Sequence, residues 1–275
     1  MRIAVDNIRN RVLDLAKLTE GHVLLDVGAG DGLIAFGAFE RVGPTLSAIF
    51  CDISAPLLEH AEQRAIKLGL RDCCSFVKTG AEDLEGIADE VADVVTCRAV
   101  LVYVTDKVKA LRQIYRALKP GGRIAICDPI NQDEAIELTA LTRWLEKQPV
   151  GPITEAARLV QRWRAAQVPS TKEAILSNPT TNFTERDLMK FVGQAGFQDI
   201  HMEFHIDTRP LGIRSWETFL NVAPRPNVPS LGEILGAEFT LEERGKLEEA
   251  LRRLFESNAF FERDAVAYLT AVKPK

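Results

Sequence analysis

The sequence predicts a doubly wound α/β protein. Five short apolar runs alternate with helical patterns across residues 20–128, and a Gly-Ala-Gly-Asp-Gly turn follows the first run. This alternation implies right-handed crossovers and a mostly parallel, Rossmann-like sheet covered by helices on both faces. Proline-interrupted helical stretches in 129–182 and 207–265 interrupt this alternation of strands and helices, whereas 183–206 and 266–275 continue it. We expect one core with a helical lid insertion after strand 5 and a second helical insertion between the last two strands.

Apolar runs and helix-boundary residues place each element. Ser54 is expected to cap a helix with Pro56 in its first turn, and Pro120-Gly121-Gly122 to stop another. Thr184 and Asp187 form a capping-box pattern. The expected strands are Val23–Val27, Leu46–Cys51, Cys73–Val77, Ala92–Cys97, Arg123–Cys127, Phe197–Ile206 and Val266–Val272. The expected helices are Leu33–Val42, 55–68, Lys107–Leu118, 185–195 and Thr240–Phe255.

The composition is that of an ordinary globular protein. Of 275 residues, 46% are hydrophobic and 27% are charged, so the chain can bury a core without disulfides or metals. No window reaches the ~18 uninterrupted apolar residues of a membrane-spanning helix, and Met1–Asn10 does not resemble a signal peptide. The net charge of −5 disfavours a nucleic-acid partner. We expect a cytoplasmic protein without a membrane partner.

The cysteines are expected to be buried, reduced thiols. None forms a C-x-x-C pair, and each falls in or beside a strand-like run, so neither a disulfide framework nor a metal site is predicted. They are Cys51, Cys73, Cys74, Cys97 and Cys127.

The glycine-rich turn after the first strand is the strongest functional signal. Gly28, Gly30 and Gly32 allow a ligand to approach the backbone, and the following helix offers free N–H groups to an anion. A dinucleotide fingerprint would need its third glycine where Leu33 stands, so a carboxylate is expected here rather than a pyrophosphate. Asp52, at the end of the second strand, is expected to accept both hydroxyls of a ribose.

These residues and several further stretches resemble the class I S-adenosylmethionine-dependent methyltransferases. The likeness is strong over about residues 10–130 and moderate over 183–206 and 266–273. The stretches that carry it are Val23–Gly32, Ile49–Ile53, Thr79–Leu84, Asp93–Val104, Leu118–Arg123 and Phe183–Phe197, which ends in Ala-Gly-Phe. The resemblance implies a methyltransferase fold, S-adenosyl-L-methionine as cofactor and methyl transfer as activity.

The same resemblance implies roles for individual positions. The backbone from Asp26 through Gly28 to Gly30 would surround the methionine part of the cofactor, with Cys97 and Arg98 under its amino group. Asp52 would hold the ribose, Ile53 would pack on adenine, and Ala81 N–H and Glu82 would lie at the adenine edge. Many members of the family carry an acid where Gly80 stands, so Glu82 or Asp83 is expected to read the adenine amino group instead.

Methyl transfer from a sulfonium needs alignment and exclusion of water, and it needs a base only if the acceptor must lose a proton. Tyr103 and His205 are the candidates for that base, and His201 shares a strand face with His205. Tyr103 and Trp144 are candidates to contact the substrate. The lid over 129–182 is expected to close an apolar pocket over a small organic acceptor.

The same residues leave further functions open. RNA or protein methylation through the inserted helices is the alternative enzyme function, and an Arg-Trp-Arg cluster at 162–164 in the lid is the feature that suggests RNA binding. A non-catalytic S-adenosylmethionine-binding protein is a different class, and a nicotinamide-dependent reductase is disfavoured by Leu33. The second insertion either extends the lid or makes the contact of a homodimer.

Overall fold

Seven strands form one sheet in the computed structural model, which describes residues 2–275. The strands are β1 Val23–Val27, β2 Ser47–Asp52, β3 Cys74–Lys78, β4 Ala92–Arg98, β5 Leu118–Pro129, β6 Gln198–Pro210 and β7 Phe261–Val272. Their order across the sheet is β3-β2-β1-β4-β5-β7-β6. Strands β1 to β5 pair in parallel, and β7 runs antiparallel to β5. The predicted doubly wound, mostly parallel sheet is confirmed.

Helices connect and extend this sheet. They are α1 Arg2–Ala16, α2 Leu33–Val42, α3 Ala55–Lys67, α4 Lys107–Ala117, α5 Gln132–Glu146, α6 Pro152–Ala165, α7 Lys172–Ser177, α8 Glu185–Gln194, α9 Trp216–Asn221, α10 Leu231–Glu238 and α11 Leu241–Glu256. A short 3₁₀ turn, Leu101–Tyr103, lies between β4 and α4. Ser54 Oγ accepts from Leu57 N at the start of α3, and Thr184 with Asp187 closes a capping box on α8, as expected.

Alternation along the strands divides the core into two layers. Leu25 and Ile126 belong to the apolar layer that contains residues of α4 and α8. Leu24 and Ala125, their neighbours in sequence, belong to the opposite layer with residues of α1, α2 and α3. Successive side chains on a strand point to opposite faces, so the near-continuous apolar runs of β1 and β5 are those of strands buried on both faces.

Three strands, β5, β6 and β7, extend by several residues beyond their predicted bounds. β5 begins at Leu118 instead of Arg123, because Leu118 pairs with Ala92 before a register shift. The stretch from Pro120 to Gly122 therefore lies inside a strand, and α4 ends at Ala117. β6 continues to Pro210 and β7 begins at Phe261, so residues 207–210 and 261–265 are strand where a helical insertion was expected.

Helix α1 has no counterpart among the predicted elements. Val12, Leu13 and Ala16 are almost fully buried in the layer shared with α2. The signal was the recurrence of Ile8, Val12 and Ala16 every four residues, which the polar start of the chain obscured.

The chain divides into two compact units. The first comprises residues up to Ile130, Phe183–His205 and Ala265–Lys275, and it contains most of the sheet. The second comprises Asn131–Asn182 and Ile206–Asp264. The second unit has an apolar core of its own, formed mainly by Leu159, Trp163, Leu231, Ile234, Leu235, Leu247 and Leu251. No helix within residues 2–275 has the length and apolar character needed to cross a bilayer.

Candidate cofactor and acceptor site

The turn between β1 and α2 is a tight loop with left-handed glycines. Gly28 has a φ of 69°, and a Cβ added to it would lie 2.1 Å from Val100 Cγ2, so only glycine fits. Gly30 has a φ of 56°, and no atom lies within 4 Å of the place its Cβ would take. One glycine therefore allows contact with the β4–α4 loop, and the other leaves open space beside the backbone.

Asp52 joins this loop to the end of β2. Gly30 N donates to Asp52 Oδ2 at 2.8 Å, and Ser54 N donates to Asp52 Oδ1 at 2.8 Å. Both carboxylate oxygens are thus fixed by backbone groups. Because each oxygen can accept a further hydrogen bond, the carboxylate can receive two neighbouring hydroxyl groups of a sugar.

An exposed apolar surface lies beside Asp52. The Ile53 side chain is 74% exposed, and a Cβ added to Gly80 would lie 3.7 Å from Ile53 Cγ2. Ala81, next in the chain, is buried. A flat apolar ring can pack against Ile53 at this position, because no larger side chain stands at residue 80.

The two acids proposed for the adenine edge both contact α4 or its cap. Asp106 N donates to Glu82 Oε1 at 2.8 Å, and Lys109 Nζ pairs with Asp83 Oδ1 at 2.7 Å. Glu82 therefore helps to hold the turn before α4, and Asp83 forms an exposed ion pair. Their reading of an adenine amino group stays a prediction.

Asp26, in β1, is a buried carboxyl with one unused oxygen. Thr96 Oγ1 donates to Asp26 Oδ1 at 2.7 Å, whereas Oδ2 has no hydrogen-bond partner among the described residues. Burial raises the pKa of Asp26 to about 6, although the bond from Thr96, the backbone N–H of Ala35 and the charge of Arg98 all act to lower it. The negative charge of this acid when ionised, two residues before Gly28, favours a cationic group of a ligand bound at the glycine turn.

The thiols behave as structural groups. Burial raises the pKa of Cys97 well above its ordinary range, so this residue stays a neutral thiol beside Arg98. Cys51, Cys74 and Cys127 are also buried, and Cys73 is half-buried. Within residues 2–275, no three His, Cys, Asp or Glu side chains lie close enough together to hold a metal ion.

The loop from Ala99 to Val104 carries Tyr103, whose side chain is 40% exposed. Ala99 has a φ of 53°, which is uncommon for a residue with a Cβ. Ala99 N donates to Cys127 O at 2.8 Å, which ties the loop to the end of β5. Tyr103 is thus accessible at the carboxyl end of the sheet, where ligands bind in folds of this type.

Asp128 is the functional candidate that the sequence analysis missed. Its side chain is fully buried at the end of β5, and Val102 N donates to Oδ1 at 2.9 Å. Oδ2 has no hydrogen-bond partner in the described chain. Burial raises the pKa of Asp128 to about 7. The available signal was its position, because Asp128 follows an apolar strand run as Asp52 does.

His205 is oriented by a carboxylate. Its Nε2 lies 3.1 Å from Glu203 Oε2, and Arg11 Nη2 also pairs with that oxygen at 2.6 Å. The His205 ring meets the Tyr268 ring edge-on at 5.4 Å. His201 Nε2 lies 3.9 Å from the other oxygen of Glu203, so the two histidines share one face of β6.

Trp144 and the arginines of the predicted lid lie in the second unit. Trp144 is 47% exposed on α5, whereas Trp163 is buried in the apolar core of this unit. Arg162 pairs with Glu243 at 2.5 Å, and Arg164 pairs with Glu134. Arg158 Nη2 donates to Leu145 O at 2.8 Å. These arginines are therefore engaged within the unit.

Comparison with known proteins identifies the family. The sequence profile described as "Methyltransferase domain" matches residues 18–186, which is more than half of the chain. The ubiquinone/menaquinone biosynthesis C-methyltransferase UbiE of Haemophilus ducreyi is 34% identical over 127 residues, covering 44% of this chain and 49% of the relative. The match thus spans about half the length of that relative.

Solved structures share the fold. The YcgJ protein of Bacillus subtilis superposes with a TM-score of 0.58 at 16% identity, over 98% of this chain and 99% of the other. Phosphoethanolamine N-methyltransferase 2 of Haemonchus contortus was solved with S-adenosyl-L-methionine. It gives a TM-score of 0.55 at 18% identity, and the alignment covers 98% of this chain and 53% of that one. The chain belongs to the class I S-adenosylmethionine-dependent methyltransferase family.

The described residues fit the cofactor of this family. The charge of ionised Asp26 favours an amino group at the glycine turn, and the space beside Gly30 accommodates a ligand against the backbone. Asp52 can accept a diol, and exposed Ile53 can take a ring. The amino group, the ribose diol and the adenine ring of S-adenosyl-L-methionine thus each match the chemistry of a residue at this end of the sheet.

Proposed function

We propose that the protein transfers a methyl group from S-adenosyl-L-methionine to a small organic acceptor by in-line displacement. The observation that carries this proposal is the bond from Gly30 N to Asp52 Oδ2, which fixes a diol-accepting carboxylate directly against the open glycine loop. The family to which the chain belongs supports the cofactor.

The cofactor would supply an activated methyl group on a sulfonium with a good leaving group. The Asp26–Gly30 backbone would hold its methionine part, with Cys97 and Arg98 beside the amino group. Asp52 would hold the ribose, and Ile53 would pack on adenine near Gly80, Ala81 and Glu82. The chain's contribution is orientation and exclusion of water, for which no acid–base residue is required.

A base is needed only for an acceptor that loses a proton, such as a phenol or an alcohol. His205 and Tyr103 stay the candidates, and Glu203 orients the His205 ring by a hydrogen bond. Tyr103 is exposed and suited to contact the acceptor. Replacing Tyr103 by Phe should alter turnover more than cofactor affinity if its hydroxyl takes part.

The second unit would select the acceptor. Its segment 131–182 leaves the sheet after β5 and returns before α8, so the connection starts at the carboxyl end where ligands bind in such sheets. Trp144 offers an exposed aromatic surface for substrate contact. Deletion of residues 135–176 should leave the sheet folded and abolish acceptor selectivity. Unaltered selectivity would exclude the lid role.

A nucleic-acid acceptor has weaker support. Arg162 and Arg164, which suggested RNA binding, are paired with acids of their own unit, and the net charge of the chain is −5. Methylation of a protein, and regulatory binding of the cofactor without turnover, are two further functions that the same cofactor site would allow. A cytoplasmic location and a homodimer also stay predictions, to be checked by fractionation and by sedimentation.

Calorimetric titration with S-adenosyl-L-methionine, S-adenosylhomocysteine and NADH tests the proposal directly. We expect binding of the first two and none of NADH, because Leu33 replaces the third glycine of a dinucleotide site. Binding of NADH alone would make the protein a reductase. Mass-spectrometric screening of acceptors for a gain of one methyl group then separates an enzyme from a regulatory binder.

A further inference from the structure

The loop between β4 and α4 contacts the glycine loop on one side and carries an exposed aromatic residue on the other. The Val100 side chain occupies the space that a Cβ on Gly28 would need, so the two loops touch directly. Tyr103, three residues on, is 40% exposed. Ala99 holds a left-handed conformation that is unfavourable for a residue with a Cβ and persists only under restraint from its surroundings.

The end of β5 supplies that restraint through the Cys127 carbonyl and the Asp128 carboxyl. Val102 N donates to Asp128 Oδ1 at 2.9 Å, and Ala99 N donates to the carbonyl of the preceding residue, Cys127, at 2.8 Å. Two consecutive residues of β5 thus hold both ends of the turn that contains Val100. A fully buried carboxyl with one unused oxygen is rare in a folded protein, and it indicates a role beyond packing.

The groups around Asp128 stabilise its ionised form, but they offset only part of the effect of burial. Lys107, at the start of α4, is the cation that acts on Asp128, and its Nζ also donates to Val104 O at 2.9 Å. Burial lowers the pKa of Lys107 to about 8, so its charge begins to fall at the upper end of the neutral range. The N–H groups of Val100, Leu101 and Val102, like the charge of Lys107, act to lower the pKa of Asp128. Cys97 and Cys127 are neutral thiols nearby, because burial raises the pKa of both, and Glu82 faces Lys107.

We propose that Asp128 is a positioning residue, whose ionised carboxylate holds Val100 against the glycine loop and Tyr103 at the acceptor side. Protonation removes the charge that attracts the Val102 N–H and Lys107, and the turn then loosens. Since burial raises the pKa of Asp128 to about 7, this change falls near neutral pH. The role of the glycine loop as cofactor loop rests on the proposed function, whereas the restraint on residues 99–104 does not.

Hydrogen exchange of peptides covering 99–104 tests the restraint. The samples are the wild-type protein, Asp128→Asn and Asp93→Asn, each at about one pH unit above and below the pKa of Asp128, after correction for the intrinsic exchange rate. Asp93→Asn is the matched control, because it makes the same change at the amino end of the sheet. We expect protection to fall about tenfold in Asp128→Asn and, at the lower pH, in the wild type. Unchanged protection would overturn the proposal.

Cofactor affinity tests the connection to the glycine loop. Calorimetry with S-adenosyl-L-methionine should give a dissociation constant about fivefold higher for Asp128→Asn, with Asp93→Asn like the wild type. Burial raises the pKa of Asp26 to about 6, which is lower than the value of about 7 for Asp128. The fall in cofactor affinity that Asp26 causes as pH drops through about 6 should therefore remain in Asp128→Asn. If Asp128→Asn loses exchange protection but binds S-adenosyl-L-methionine as tightly as the wild type, the turn does not influence the glycine loop and this part of the proposal is refuted. If the wild type does not bind this cofactor, the proposed function fails, and hydrogen exchange still decides the role of Asp128.

Discussion

The aspartates at the two ends of the sheet differ in their burial and in their hydrogen-bond partners. At the amino end, Asp93 accepts from Val23 N at 2.8 Å and from Lys119 Nζ at 2.8 Å. Although burial acts to raise its pKa, the hydrogen bond from Lys119 and the Val23 N–H together lower it. This carboxylate is fully partnered within the protein, and its role is to join strands.

At the carboxyl end, Asp26 and Asp128 are more deeply buried and less well partnered. Each has one oxygen without a hydrogen-bond partner in the described chain, and burial raises the pKa of both. The contrast teaches that folding completes the hydrogen bonding of the carboxylate at the amino end, whereas at the carboxyl end it leaves one oxygen of each buried carboxyl without a partner.

Replacing Gly28 by Ala should give the largest effect. The new Cβ would lie 2.1 Å from Val100 Cγ2 at a φ of 69°, so both loops must move, and we expect a loss of about 3 kcal/mol in unfolding free energy. Chemical denaturation measures it. Gly43→Ala is the control, because Gly43 has a φ of 89° but open space around it, and we expect a loss of about 1 kcal/mol. Equal losses would show that the contact with Val100 is unimportant.

Replacing Asp52 by Ala should weaken binding of S-adenosyl-L-methionine about 100-fold, because two charge-assisted hydrogen bonds to the ribose and the anchor of Gly30 N are lost together. Calorimetry measures the dissociation constant. Asp31→Ala removes an exposed acid from the same loop and should change affinity by no more than about twofold. If Asp52→Ala binds like the wild type, the ribose assignment is wrong.

Replacing Asp26 by Asn should flatten the pH dependence of stability. The folded pKa is raised to about 6 from 3.8, so the native state favours the protonated form. Its contribution is present below the unfolded pKa and is lost as pH rises through about 6, a change of up to about 3 kcal/mol.

Denaturant unfolding at a series of pH values measures this change in Asp26→Asn. Exposed Asp31→Asn serves as control and should keep the wild-type profile. We also expect Asp26→Asn to bind S-adenosyl-L-methionine more weakly, since its amide cannot attract the cofactor's amino group. A wild-type pH profile in the variant would mean that Asp26 does not titrate as a buried acid.

Replacing Asp93 by Asn should give the smallest effect and should concern stability alone. Losing the charge opposite Lys119 should lower the unfolding free energy by about 1 kcal/mol at neutral pH, because the site is partly exposed. As the pKa of Asp93 is lowered, this contribution is present above the unfolded pKa and is lost as pH falls through the folded one. Reduced cofactor affinity in this variant would contradict the division between the two ends.

Much of the sheet could be predicted because its strands are continuous apolar runs between recognisable turns. β1 and α2 have the predicted bounds, and the Thr184 capping box forms as its spacing indicates. The ends of β5, β6 and β7 could not be predicted, because they depend on pairing with a partner strand rather than on their own composition. Helix α1 was missed because its apolar positions lie in a polar stretch.

Within the candidate site, the sequence by itself determined the residue types and their order: the glycine turn, Asp26, Asp52, Ile53 and the likeness to a methyltransferase family. Only the tertiary structure decided how these groups are partnered. It directs Glu82 to the backbone before α4 and buries Asp128 under the loop that precedes Tyr103. The physical reason is that burial and hydrogen bonding depend on strands and loops far apart in sequence, and these set both the pKa of a carboxyl and the oxygens it leaves free.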